Sequence, residues 1–289
     1  MKAIGRVRDI WRYPVKSMAG ERLDEAFVDA GGIPGDRGWA VRDERRGGIR
    51  GAKKIAGLMR LSARYLETPT RAEPRVPEIG LPDGSRVRAD APDAAARVSA
   101  AVETPVTLWP LLPESEREHY RRGPPDHKDV LTELRSIFGR TPDEPLPDLS
   151  NLPRELFEFE SLPGTYFDAF PLHLVSTASL DALAKAAPGS RVDVRRFRPN
   201  FVVETGPGLA GFADADWAGK RLRIGDLELG GDSIATVRCV MVTHGFADLP
   251  KDPTILRAIV RAANQTLGLY ARPRGEARVR VGDEVVLLD

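Results

Sequence analysis

Leu222-Arg-Ile-Gly-Asp-Leu-Glu-Leu229 alternates apolar and polar residues on both sides of a Gly225-Asp226 pair, the pattern of two half-buried strands folded back through a tight turn. The chain closes on the same device. Arg278-Val-Arg-Val281-Gly-Asp-Glu-Val285-Val-Leu-Leu288 places a Val-Gly-Asp turn inside a second alternating run. Two such hairpins suit a β barrel, although the echo is too short to count as a repeat. Around them, strands are expected at 200–204, 221–229 and 234–243. Ser176-Thr177-Ala-Ser179 precedes a short helix over 180–187 that Pro188-Gly189 stops, and its first turn is suited to an anion. A longer helix is expected over 253–267, with Asp252 as N-cap, Pro253 at the first helical position and Gly268 beyond its end.

Working back toward the N-terminus, residues 4–15 read as a strand entering a turn at Pro14, which leaves Lys16 and Ser17 in a loop. Further β signals fall at 23–28 and 38–42, and Pro82-Asp83-Gly84 marks a hairpin before Arg86-Val87-Arg88. The first hundred residues thus read as a small β-rich unit. From 113 to 165 the chain is rich in Pro, Glu, Arg and Asp, with a short helix at 128–138, as in a connection between domains.

With 289 residues, 42% hydrophobic and 29% charged, the chain is long enough for two domains and apolar enough for a core. Lys+Arg number 43 and Asp+Glu 42, so no global field is available to hold nucleic acid, and any anion site must be local. The single cysteine, Cys239, excludes an intrachain disulfide, a cysteine zinc cluster and a protein-ligated iron–sulfur cluster. A reducing, cytoplasmic location is expected. No signal peptide and no membrane span are readable.

Gly206-Pro-Gly208-Leu-Ala-Gly211 matches a dinucleotide-binding pattern, but Pro207 removes an amide and no apolar-faced helix follows, so turn glycines are the better reading. The four histidines show no metal-ligand spacing. Cys239, on an expected strand Val237–Val242, is either an inert buried hydrophobe or a thiolate able to ligate a soft metal, and the residues alone leave both open. Arg191, Arg195, Arg196 and Arg198 lie beside Asn200. They form either a solvated basic face or a set of guanidinium forks for phosphate and heteroaromatic ligands. Lys16-Ser17 and Gly35-Asp36-Arg37 offer loop groups of the same anion-binding kind.

Taken in order, Tyr13-Pro-Val-Lys16-Ser17, Gly35-Asp36-Arg37-Gly-Trp39, Phe167-Asp168, Ser176-Thr177-Ala178-Ser179-Leu180, Arg196-Phe197-Arg198-Pro199-Asn200, Arg238-Cys239 and Val281-Gly282-Asp283-Glu284-Val285 resemble the MOSC family of molybdenum cofactor proteins. Within it, the pattern is similar to the amidoxime-reducing components. The resemblance implies an α+β, β-rich fold of two β-barrel-type domains. These are an N-terminal MOSC barrel over 1–112 and a MOSC domain over 166–289, joined by the 113–165 segment.

It further implies a molybdopterin cofactor, a pyranopterin dithiolene holding molybdenum, with Cys239 as the protein ligand to the metal. Lys16, Ser17 and Arg37 would meet the cofactor phosphate, and Ser176, Thr177, Arg198 and Asn200 would hold phosphate or pterin groups. Val237 and Arg238 would flank the ligand, and Tyr270 would stand near the cofactor. The implied activity is reduction of small N-hydroxylated or N-oxide substrates, with water or His244 as proton source. Electrons would come from a separate reductase, haem protein or ferredoxin. A sulfur carrier or sulfurtransferase, or a non-catalytic cofactor-binding protein using the same cysteine, is the alternative. The chain departs from the family where Ile234-Ala-Thr-Val237 precedes the ligand and His244-Gly-Phe-Ala-Asp-Leu-Pro250 follows it.

Overall fold

The computed structural model describes residues 1–150 and 152–289. Its longest strand is the first, Lys2–Arg12, whose Ile4, Val7 and Ile10 are buried. That strand pairs antiparallel with Phe201–Thr205 on one side and with Glu284–Leu287 on the other. Among the described residues ten strands make this sheet, whose edge-to-edge path runs from Ile234–Val237 through Thr266–Ala271 and Leu172–Ser176 to the centre. Beyond Glu284–Leu287 it continues into the expected hairpin, Leu222–Ile224 and Leu227–Leu229. The sheet is mostly antiparallel, with one parallel pair between Leu172–Ser176 and Phe201–Thr205. Register shifts between Val7 and Asp9 and between Ala3 and Gly5 break the central strand's pairing, and such bulges bend a sheet toward closure. Trp217, 1% exposed, belongs to the same buried cluster as Ile4, Leu222 and Leu269.

The β-rich unit expected in the first hundred residues is present as two three-stranded sheets. Trp39–Asp43 lies between Ile49–Arg50 and Val106–Pro110, while Ser62–Arg64, Glu78–Gly80 and Arg86–Arg88 form a meander. The helix Ala94–Val102 buries Val98 and Val102 beneath them. This second core also takes in Met241, Phe246 and Leu249 from the other end of the chain. Sheet pairing and core packing therefore both cross residue 112. In the connecting segment, Asp129 caps the helix Val130–Phe138 by accepting from Thr132 N at 2.7 Å. No helix among the described residues is long and apolar enough to cross a membrane.

Two local expectations need correction. The helix expected over 253–267 runs only from Pro253 to Ala262, because Asn264 and Gln265 take left-handed backbone angles that end it. Gly268 is then no cap but a strand residue, at φ +86°, where a Cβ would fall 2.4 Å from His173 Nε2. The strand expected over 234–243 stops at Val237. Its pairing slips after Ala235, Arg238 N donates to Gln265 O at 2.9 Å, and Val240–Thr243 turns into a 3-10 helix. Cys239 thus stands at the exit of the sheet.

The central pairing leaves no room for a side chain at Gly5, where a Cβ would lie 2.0 Å from Glu204 O, whereas Gly206 opens on free space. Gly5→Ala should cost about 3 kcal/mol in equilibrium urea unfolding. Gly206→Ala should stay within about 0.5 kcal/mol of wild type.

Candidate active site at the junction of the two cores

The strand Lys2–Arg12 carries the chain out of the large sheet and directly into Tyr13-Pro-Val-Lys16-Ser17, which is zipped to the Asp36–Trp39 loop. Arg37 N donates to Tyr13 O at 2.7 Å, and Lys16 N to Trp39 O at 2.8 Å. The Tyr13 ring lies between two guanidiniums, Arg198 at 4.2 Å and Arg37 at 4.6 Å from its centroid. Asp36, with a fully buried side chain, balances them. It accepts from Tyr13 N at 2.7 Å and Asn200 Nδ2 at 3.0 Å, and pairs with Arg37. Asn200 is the hub on the other side. Its Oδ1 accepts from His173 N at 3.1 Å and Arg37 Nη1 at 3.4 Å, while Nδ2 also reaches Trp11 O at 3.2 Å. Both ends of this amide are already engaged by protein, so it shapes the wall.

Arg198 differs from its neighbours. Its Nη1 donates to Met18 O, but Nη2 is buried with no hydrogen-bond partner in the protein. Burial, then the Arg37 charge, presses this guanidinium down to about 10, still charged at neutral pH. An unpaired buried donor on a cation is costly unless something anionic or polar meets it. The other arginines of the cluster divide. Arg191 and Arg195 pair with Asp248 at the surface, and Arg196 donates to the carbonyls of His244 at 2.8 Å and Pro250 at 2.7 Å.

Cys239 is half-buried and lines the same pocket as Arg37, Arg198, Val237, Arg238 and Tyr270. Arg238, its neighbour, is buried beneath it and donates from Nε to Leu267 O at 2.8 Å and from Nη2 to His173 Nε2, 2.6 Å away. That contact requires His173 Nε2 to accept, so the proton sits on Nδ1. Burial, reinforced by the Arg238 charge, holds His173 well below the usual histidine range and therefore neutral. Arg140 braces the turn by donating to Arg238 O at 3.1 Å and Gln265 Oε1 at 2.9 Å. Tyr270 stacks on Phe170 with centroids 5.6 Å apart, and burial pushes its phenol up to about 12.

Asp168 and Lys53 also line the pocket, and Lys16 reaches Asp168 from outside it. Asp168 accepts from Lys16 Nζ at 3.0 Å and lies 3.6 Å from Lys53 Nζ. Lys16 also donates to Tyr166 O at 2.8 Å. Lys53 and His173 had no motif around them; their role comes only from being brought beside Cys239 by the fold. The remaining sequence candidates lie elsewhere. Ser17, at φ +69°, accepts from Ala52 N at 2.8 Å and fixes the Gly51–Lys54 loop. Ser176 caps the helix Thr177–Ala186 by accepting from Ser179 N, and Thr177 bonds Thr205, 3.1 Å away. His244 Nε2 meets Ala52 O at 3.0 Å and ties the two cores together. None of these four lines the Cys239 pocket.

The family model for the MOSC domain matches residues 162–286, and that for the MOSC N-terminal beta barrel domain matches residues 4–107. The chain is a MOSC-domain protein. Mitochondrial amidoxime reducing component 2 from Rattus norvegicus is 29% identical over 310 residues, spanning 99% of this chain and 84% of its own. Mitochondrial amidoxime-reducing component 1 from Mus musculus is 26% identical over 319 residues, spanning 100% of this chain and 84% of its own. The crystal structure of the YUAD protein from Bacillus subtilis covers 99% of this chain and 96% of its own at a TM-score of 0.43 and 13% identity, a likeness too loose to carry an argument.

The MOSC pocket's own electrostatics give a pH signature. Burial alone would raise the Asp168 carboxyl, but Lys16 and Lys53 outweigh it and hold it well below the usual carboxylate range. A carboxyl depressed in the folded state stabilises the protein above its unfolded pKa of about 4 and loses that contribution as pH falls through the folded value. Asp168→Asn should therefore be less stable than wild type to urea at pH 7. The gap should narrow steadily below about pH 4.

Proposed function

We propose that this MOSC protein is a reductase of N-hydroxylated or N-oxide compounds, with a molybdenum-bearing pyranopterin dithiolene held in the Cys239 pocket. The observation that carries the reading is the meeting, in one pocket, of the chain's single cysteine with a buried, unpartnered guanidinium nitrogen of Arg198. Among the described residues no group of three or more His, Cys, Asp or Glu side chains is arranged to hold an ion. A metal here would have to arrive chelated by its own organic ligand, leaving one coordination position to a protein thiolate. A lone cysteine supplies that much and no more. The names of the two relatives, amidoxime reducing components, agree with the reaction class.

When bound, the cofactor would supply the two-electron reduction in which R–NHOH takes up two electrons and two protons and leaves as R–NH2 and water. The chain's own groups do the rest. Arg198 Nη2, free of protein partners, would donate to an acceptor of the cofactor, and Arg37, held in place by Asp36, adds a second fixed positive charge for phosphate or pterin oxygens. Lys53 is held protonated chiefly by Asp168. It therefore offers a hydrogen bond and a charge to the departing oxygen rather than a proton, and the protons come from water. Arg238, Arg140 and His173 fix the turn on which Cys239 is presented, and the neutral imidazole keeps a further charge out of the pocket. With one cysteine there is no cluster of its own to relay electrons, so a separate reductase, haem protein or ferredoxin must dock to deliver them. The relatives' names place those proteins in mitochondria. A reducing compartment is what a ligating thiolate needs, in mitochondria or in the cytoplasm.

The test is molybdenum and pterin content, with N-hydroxy reduction, for protein made in a host that synthesises the cofactor. Wild type should hold near-stoichiometric molybdenum. Cys239→Ser should lose activity at least a hundredfold, about 3 kcal/mol of transition-state stabilisation. Arg198→Met should lose pterin and metal together. Correctly folded wild type free of both, or a persulfide on Cys239 without molybdenum, would overturn the reading and leave sulfur transfer in its place.

A further inference from the structure

A second cavity opens beside the Cys239 pocket and shares four of its residues, Lys53, Phe138, Leu152 and Asp168. The inner pocket encloses about 120 Å³ and the outer groove about 380 Å³, the size of a small-ligand site. One wall of the groove is the helix Val130–Phe138, which presents Val130, Leu134, Ile137 and Phe138 to it. This helix is apolar along that side, yet none of its residues is buried, and Val130 is 69% exposed. The strap that follows also lines it, with Leu149, Leu152, Leu156 and Phe157, the last 63% exposed, while charged side chains such as Arg50, Lys54, Arg122 and Glu160 line the remainder.

The strap is tied down at its two ends. Arg257 pairs with Glu144 at the start, and Arg122 donates to Leu156 O at 2.7 Å near the end. Between those ties, among the described residues, the hydrogen bonds stay within the strap itself, Leu152 N to Leu149 O and Ser150 N to Asp148 Oδ1. Two further cavities lie against it, so its leucines are incompletely packed. Apolar side chains that line a groove without filling it lose contact energy, and a ligand of matching chemistry restores it.

We propose that this groove holds the apolar tail of an amphiphilic substrate whose N–O head lies beside Lys53, so that long-chain alkyl hydroxamic acids are preferred over short ones. The reacting group rests on the reading given under Proposed function; the tail site does not. Two features commit the groove to a chain rather than a flat partner surface. It is lined by both helix and strap, and its inner end meets the Cys239 pocket at Lys53, whose carboxylate partner Asp168 is shared with Lys16. A chain attached to the head has a way out of the Cys239 pocket along this groove.

The experiment uses the cofactor-loaded protein. Calorimetry with butanamide, octanamide and dodecanamide, the amide products that cannot be reduced further, reads binding without turnover. Reduction of the matching hydroxamic acids reads KM. Affinity should rise by up to about fourfold per added methylene until the groove is filled. Phe157→Ser, at an exposed position, and Leu134→Asp should each weaken octanamide at least tenfold and leave butanamide unchanged. Lys53→Met should weaken all three alike. Equal affinity for the three chains, or folded variants that keep the full chain-length dependence, overturns the tail site. Chain-length-dependent binding by a protein with no reductase activity would sink the reductase reading and leave the tail site standing. Reduction of all three acids at one KM would do the reverse.

Discussion

The central strand Lys2–Arg12 is the constraint on which the rest depends. It is hydrogen-bonded on both edges by strands from the far end of the sequence, and its continuation, Tyr13–Ser17, is zipped to the loop that presents Arg37 to the pocket. A residue in the middle of a sheet cannot shift without breaking ladder bonds on both sides. Tyr13 and Lys16 are therefore positioned by pairings with residues about two hundred positions away. The pocket is rigid in the same measure as the sheet, and catalytic groups on rigid elements hold their geometry better than groups on free loops.

Charge is concentrated at this junction at visible cost. Arg37, Arg198, Arg238 and Lys16 are buried or nearly so, with Asp36 and Asp168 as the nearby carboxylates. Three of the loop residues here, Ser17, Arg37 and Arg198, also adopt left-handed backbone angles, φ +69°, +48° and +56°. Each such angle costs a non-glycine residue of order 1 kcal/mol, and such strain collects where function requires a side chain to be aimed. Excess buried positive charge is stable only if anionic density answers it. The proposed phosphate-bearing cofactor would meet that need, and the buried Nη2 of Arg198 is a donor without a partner in the protein.

Much of the architecture was legible in the residues. Period-two alternation at 222–229 and 278–288 marked true strands, because local polarity decides which face is buried, but only the first run is a hairpin: Ala277–Arg280 pairs with Glu25–Val28, and Glu284–Leu287 with Lys2–Arg12 and Leu222–Ile224. Asp252-Pro253 and Asp129 marked real helix starts, since caps act within one turn. Stops were harder. The helix after Pro253 ends at Ala262 rather than 267 because Asn264 and Gln265 turn left-handed to let Thr266–Ala271 join the sheet, a demand made by distant strands.

The site divides along the same line. The amino-acid sequence by itself determined which groups existed to be used: a single thiol in Cys239, forks at Arg37 and Arg198, and an ordered set of motifs that mark a MOSC chain. Only the tertiary structure decided which of them meet. It gathered Cys239, Arg198, Arg238 and Asp168 with Lys53 and His173, which no local pattern had singled out. It also set Ser176 to helix capping, Thr177 to bonding Thr205 and His244 to joining the cores. The physical reason is range. Turns, caps and strand faces depend on neighbours within a few residues, whereas a pocket is a coincidence in space of side chains far apart in the chain, fixed only when the sheet closes.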